Sequence, residues 1–361
     1  MNIKIATSTE ELYKLKEYWE KLQENNVDIT YYNTYIYNNH WWEVNRNDTS
    51  KSLFIICVYN KKKLIGIAPF IIELHKKGFL SYRVLKFMGR ADYFSIILDK
   101  TNNRENTIIH QIFKEINKNS DKWDRIELTH IKQNSSLAYY LLRNNLYNKS
   151  FTYLIECPVI YLDRFSSFEE YKKYFNINKE VKYFLNRLQK DVKYKLKVYK
   201  GNEENILEKI SEIHQKEQEY LINVKNRKER KSLFKNDLIL SFLKKIYSSY
   251  DNVITFVLED KNFNILCYST CYYYKKNLYC WNIGYDPQFG KYSISRIINY
   301  EILKYTYDNN LANVFDYGAG RYPWKFKWTN DFILIYKLDV WNSKSKKAKL
   351  IYLIKKMKKI V

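Results

Sequence analysis

The chain runs through one order of sequence patterns twice, and this repetition constrains its fold more than any other feature. Residues 53–59 and 64–72 read as a hairpin around Lys61-Lys62-Lys63, and residues 253–258 and 265–274 repeat it around residues 260–264. The order then continues in step. A helical stretch at 107–116 answers one at 293–307, a strand at 125–129 answers 313–317, and a strand at 152–162 answers 332–340. At 361 residues and 46% hydrophobic content the chain is long enough for two cores. Eight Gly and four Pro leave no flexible linker. The expected division is therefore 1–163, 164–343 and a basic tail at 344–361, with the boundary near residues 163–168.

The second half carries the more informative copy. Residues 278–284 read as an aromatic and β-branched strand, stopped by Tyr285-Asp286-Pro287 and Gly290. Ser293 is expected to cap a helix whose core face is Ile297, Ile298, Ile302 and Leu303. A further strand, 312–317, ends in Gly318 and Gly320, where backbone and ligand can approach closely. The first half has no Asp-Pro followed by a Ser-capped helix, so a donor site is expected in the second half alone.

These residues resemble the GNAT superfamily of acyltransferases, in its double-domain branch of Fem-type peptidoglycan amino-acid transferases and CelD-type acetyltransferases. The resemblance is carried by Tyr285-Asp286-Pro287, by Tyr292-Ser293-Ile294-Ser295 at the helix start, and by Phe315-Asp316-Tyr317-Gly318-Ala319-Gly320 followed by Trp324-Lys325 and Trp328. In the first half, Gly89-Arg90-Ala91-Asp92-Tyr93 resembles the family's acceptor-side element. Ile294-Ser295 stand where the branch has Pro-Gly, and Trp324 where Tyr is usual. The resemblance implies an α/β (α+β) fold of tandem GNAT-like domains, each a mixed, mostly antiparallel sheet flanked by helices. It also makes residues 169–199 a basic helical stretch between the domains. A second helix, 204–221, carries His214, which resembles a motif of CelD-type relatives.

The chemistry it implies is acyl transfer from a thioester to an amine. Lys291, Tyr292, Ser293, Ile294, Ser295 and Arg296 are expected to hold the pyrophosphate of acetyl-CoA through free amides, the helix dipole and two cations, with Gly284 contacting the same cofactor. Strand amides at 281–284 are placed to meet the thioester carbonyl. Asp316 reads either as the base that orients or deprotonates the amine or as a cap of the Gly318–Gly320 turn. Tyr285 or Tyr317 is placed to protonate the thiolate, and Lys325 to stabilise developing negative charge or to form a surface ion pair. Arg90, Asp92, Tyr93 and His214 are expected on the acceptor side, with a plain turn role open for the first three.

A net charge of +23 suits nucleic acid, anionic lipid or an anionic substrate, and equally a lysine-rich solvated surface. It does not choose among CoA, nucleotide-linked sugars and tRNA. In the tail, Leu350, Leu353, Ile354, Met357 and Ile360 form a stripe at helical spacing among lysines, fitting a packed terminal helix or weak association with an anionic membrane. No eighteen-residue segment lacks charge, and the start carries no apolar signal region, so a cytoplasmic protein is expected, perhipheral at most to the inner membrane surface. Cys57, Cys157, Cys267, Cys271 and Cys280 fall in strands, and the five His are dispersed, so no metal is expected. The function expected is an N-acetyltransferase acting on a nucleotide-linked amino sugar for surface polysaccharide. Two alternatives are a Fem-like transferase using aminoacyl-tRNA on a cell-wall precursor and a non-catalytic binding protein on a degenerate GNAT scaffold.

Overall fold

In the computed structural model, which describes residues 1–357 except 27, 78, 79 and 102, the chain divides into two units. One comprises Met1–Ile155 with Ile333–Val361, the other Glu156–Phe332. The first begins with β1 (Asn2–Ala6), and Ser8 with Glu11 then forms a reciprocal capping box that starts α1 (Thr9–Lys14). Helices α2 (Lys16–Glu24) and α3 (Tyr35–Asn45) follow. The expected hairpin is β2 (Lys51–Asn60) and β3 (Lys63–Lys77), continued antiparallel by β4 (Leu80–Phe87). Residues 53–58 of β2 are buried on both faces, which is why they read as an apolar run. A short β5 (Ile97–Leu98) pairs with β3, and α4 (Glu105–Lys118) lays Ile109, Ile112 and Phe113 on the sheet. β6 (Arg125–Lys132), α5 (Ser136–Arg143) and the first half of β7 (Phe151–Tyr161) complete this passage.

β4 and β6 run parallel, paired at Val84↔Arg125 and Leu85↔Ile126, and then diverge. The wedge between them is filled by the chain itself. Gly89, at φ 112°, turns the backbone, and Phe94 returns to bridge Ile131 and stack on Phe87 with ring centroids 5.1 Å apart.

The second unit starts with the rest of β7, then α6 (Phe168–Tyr174) and α7 (Ile177–Asp191). The continuous helical stretch expected over 169–199 stops there. β8 (Tyr194–Lys200) is a strand, because Leu196 and Val198 alternate with lysines and pair with Leu258 and Phe256 of β9 (Val253–Asp260). Between these strands lie α8 (Ile206–Asn223) and α9 (Asp237–Tyr247). β9, β10 (Ile265–Tyr274) and β11 (Asn277–Tyr285) form an antiparallel meander, α10 (Ile294–Asp308) crosses back, and β12 (Val314–Asp316) lies parallel to β11 and antiparallel to β7. Phe256, Leu258, Leu278, Ile298, Ile302 and Phe315 lie in its core.

The chain then returns to the first unit. β13 (Phe332–Trp341) pairs antiparallel with β6, and the Arg125 guanidinium grips Asp339 with two bonds of 2.7 and 2.6 Å. The boundary expected at 343 therefore falls at 332, and the strand expected to close the second domain belongs to the first, because its partner is β6. The tail continues as α11 (Lys346–Met357), started by Ser345, whose Oγ accepts the Ala348 amide and donates to Asp124. Its buried contacts are Ala348 and Ile351, the latter against Tyr82 and Val84, whereas Leu350 and Leu353 of the expected stripe are half-exposed. Ile360 lies outside the described residues. Among the described residues, no helix is long and apolar enough to cross a membrane.

Candidate active site

In the second unit the corresponding parallel pair is β11 and β12. These strands pair at Asn277↔Val314, Leu278↔Phe315 and Tyr279↔Asp316, and the ladder stops there. Beyond it β11 is paired with β10 alone, and its register slips, because Thr270 faces Asn282 while Cys271 faces Cys280. Trp281 is thus an extra residue, a bulge that turns the strand where its outer edge becomes free. Along residues 280–284 the backbone groups that alternate away from β10 have no β12 partner, and a ligand carbonyl can meet them.

Helix α8 packs against β10 and β11, and its buried face follows helical spacing through Ile210, Ile213, His214 and Glu217. Glu217 is 9% exposed. Its carboxyl accepts the Tyr285 backbone N–H, yet burial wins over that bond and over the nearby Arg230 charge, and its pKa is pushed up to about 7. A carboxyl poised at neutral pH beside the free strand edge can take a proton from an amine. Gly284 makes room for it. A Cβ there would lie 2.7 Å from Tyr268 Cε1, 3.0 Å from Tyr268 Oη and 3.1 Å from Glu217 Oε2. The Tyr268 hydroxyl in turn donates to Asn282 Oδ1. Tyr285 is half-buried, and burial, followed by the Glu217 charge, raises its pKa, so the phenol keeps its proton at neutral pH.

His214 sits one turn before Glu217 and is buried, with Nδ1 2.9 Å from Ser232 Oγ and its ring edge-on to Phe234 at 5.1 Å. Burial, aided by Arg230, lowers its pKa to about 4, so it stays neutral and holds the loop that follows α8.

The start of α10 is built differently from expectation. Pro287–Tyr292 forms a 3-10 turn, and Ser293 occupies the left-handed region at φ 52° as the hinge into the helix. Its hydroxyl makes no capping bond, because that geometry turns the side chain away from the first-turn amides. The amides of Ile294 and Ser295 belong to this first turn, where no i−4 carbonyl exists for them. Lys291 lies over the Tyr292 ring at 5.0 Å, and Arg187 of α7 stacks on it at 5.6 Å while donating to the Lys291 carbonyl at 3.3 Å. The Tyr292 hydroxyl donates to Asp191 at 2.7 Å, and Arg296 lies over Phe184 at 5.2 Å. Three cations and the positive end of a helix therefore gather at one place.

Asp316 and Lys325 are buried in the turn after β12. Asp316 Oδ1 accepts the Gly318 amide at 2.8 Å, matching the turn-cap reading. Lys325 Nζ donates to the carbonyls of Tyr317, Gly318 and Ala319 at 2.8, 3.0 and 3.5 Å; it is a clamp on the turn, not the surface ion pair considered for it. Asp316 stands beside Tyr279, and at ~3.3 Å per residue the five steps to Gly284 put it ~17 Å along the strand from the position that Glu217 faces. The two carboxyls do not serve one proton transfer. Arg90, Asp92 and Tyr93 belong to the first unit. Tyr93 is fully buried with Lys132 Nζ 4.5 Å over its ring, Arg90 is exposed and its carbonyl accepts the Tyr37 hydroxyl, and Asp92 is half-buried.

Sequence reasoning passed over Glu217. The available signal was an acid three residues after His214, in phase with Ile210 and Ile213, where a core-facing position calls for an apolar side chain.

Residues 176–326, which hold all these second-unit side chains, match the family model described as an acetyltransferase (GNAT) domain, so the chain carries such a domain. No curated protein sequence matches the chain. Among solved structures, FemX superposes with a TM-score of 0.59 at 12% identity, covering 98% of this chain and 99% of that one. L-PGS from Bacillus licheniformis gives 0.54 at 13% identity over 96% of each chain. A conserved protein of unknown function from Bacteroides thetaiotaomicron gives 0.52 at 11% identity, covering 94% of this chain and all of that one. At these identities the likeness is one of fold alone.

Proposed function

We propose that this chain is an N-acyltransferase that moves an acyl group, acetyl in the simplest case, from CoA to the amino group of an acceptor, with Glu217 as general base. The observation that carries the reading is the buried Glu217 carboxyl, with a pKa of about 7, against Gly284 on the reach of β11 that lies past its pairing with β12. CoA pyrophosphate sits at the first turn of α10 with Arg187, Lys291 and Arg296, and the pantetheine arm follows the free edge of β11 so that backbone amides near the Trp281 bulge receive the thioester oxygen. Glu217 removes a proton as the amine attacks the carbonyl. The new C–N bond forms, the C–S bond breaks, and the Tyr285 hydroxyl gives its proton to the thiolate. Asp316 and Lys325 act earlier in the causal chain, by fixing the turn that ends β12.

An amino sugar is the acceptor class that the CelD-type resemblance favours. The Fem-like reading, with aminoacyl-tRNA as donor, draws on the superposition with FemX and on the same cationic helix start. A thermal-shift comparison separates them. CoA and acetyl-CoA at millimolar concentration are expected to raise the melting temperature, since a ligand of the folded state alone adds about 2.7 kcal/mol at a hundredfold excess over Kd. No shift with either, together with stabilisation by aminoacyl-tRNA, would overturn the CoA reading in favour of the other.

A further inference from the structure

The loop between α8 and α9 carries Lys225, Arg227, Lys228, Arg230, Lys231 and Lys235 against one acid, Glu229. Such a run on a loop is ordinarily a solvated face, but three observations tie this one to the site. Its path is pinned to the helix turn beside Glu217, because Ser232 is bonded to His214 and Phe234 packs on the same ring. Arg230 is half-buried and close enough for its charge to act on both Glu217 and His214. Finally, the internal ion pairs leave three cations over, of which Lys225 lies over the Tyr220 ring at 5.7 Å. Glu229 takes Arg227 at 2.9 Å and Arg230 at 3.9 Å, and Lys235 pairs with Glu219 at 2.9 Å, whereas among the described residues Lys228 and Lys231 have no ion-pair partner. Both are exposed.

We propose that residues 225–231 receive a phosphate-type anion carried by the amine acceptor, with Lys228 and Lys231 as its ligands, so that the anion is held at the loop while the amine reaches Glu217. The proposal rests on the reading of Glu217 as the base. It adds a substrate class to that reading. From Glu217 to the end of α8 at Asn223 is six residues, or ~9 Å at 1.5 Å per residue, which leaves room for a sugar-sized spacer between amine and phosphate. Arg227 and Arg230, already tied to Glu229, add a fixed positive field behind the two lysines. A nucleoside diphosphate and a phospholipid headgroup both present this anion.

The test titrates inorganic pyrophosphate by calorimetry into the full-length protein saturated with CoA, so that the α10 site is occupied. Binding is expected, and Lys228→Ala/Lys231→Ala should weaken it about tenfold or more while leaving CoA affinity and melting temperature unchanged. Lys346→Ala/Lys347→Ala, which removes the same charge from α11, should leave pyrophosphate binding as it was. Absence of binding, equal affinity in the loop variant, or equal weakening in the α11 variant would each overturn the proposal. If CoA itself does not bind, the donor assignment fails, and the same titration without CoA still decides the loop. Co-sedimentation with phosphatidylglycerol vesicles identifies the source: binding that falls in the loop variant but not in the α11 variant assigns a headgroup, and vesicle binding unchanged in the loop variant assigns a soluble phosphate.

Discussion

At the residue scale the site turns on one carboxyl and one missing side chain. Glu217 has a pKa of about 7 against an ordinary value of 4.5, so between these pH values the folded protein binds more protons than the unfolded chain. Stability therefore falls as pH rises through that window and stays lower above it. Glu217→Gln keeps the shape and cannot ionise. It is expected to raise the melting temperature at pH 8, by up to about 3 kcal/mol of stability, with the gain vanishing below about pH 4.5. It should also lower kcat about 10²-fold or more and abolish the rise of rate with pH near 7. Paired melting and pH–rate profiles check this, and a variant that is active and no more stable at pH 8 contradicts it. Gly284→Ala places a methyl within 3.1 Å of Glu217 Oε2 and closer still to Tyr268. The expected cost is about 1–3 kcal/mol of stability, read by urea unfolding, with a loss of kcat that exceeds any change in CoA affinity. Asp316, by contrast, read from the sequence as either a base or a turn cap, and its bond to the Gly318 amide is that of a cap.

At the scale of elements, the hairpins, the crossing helix α10 and the glycine-rich turn were readable from period and punctuation, since each is fixed within a few residues. β8 was not, because a seven-residue strand with lysines on one face takes its identity from pairing with β9. The tail helix was read in the wrong rotational phase for a similar reason. Its small residue, Ala348, allows close approach to the sheet and brings Ile351 onto Tyr82 and Val84. Truncation after Ser343 removes that cover. A loss of about 2–4 kcal/mol is expected from the buried apolar surface, lowering the melting temperature by several degrees. Leu350, Tyr352 and Leu353 still face outward among lysines, and the proposed association with anionic membrane rests on them. Vesicle binding by the intact chain should weaken steeply with salt and disappear on truncation, whereas equal binding by both chains would remove that role.

At the scale of the whole molecule, the first unit is assembled from two distant parts of the chain. A fragment ending at residue 163 lacks β13, leaving the β6 edge open and Arg125 without Asp339. It is expected to be unfolded or aggregated by circular dichroism and sedimentation, and a fragment joining 1–155 to 333–357 should recover the native signal. The sequence by itself determined the hairpins, the crossing helix α10 and the cations near its start, because these depend on local period, turn residues and composition. Only the tertiary structure decided which sheet β13 completes, that Phe94 bridges to Ile131 where β4 and β6 diverge, that β11 runs past its pairing with β12, and that Glu217 is buried against Gly284. Those outcomes depend on contacts between residues far apart in the chain, and burial, which sets the carboxyl's pKa, exists only once such contacts have formed.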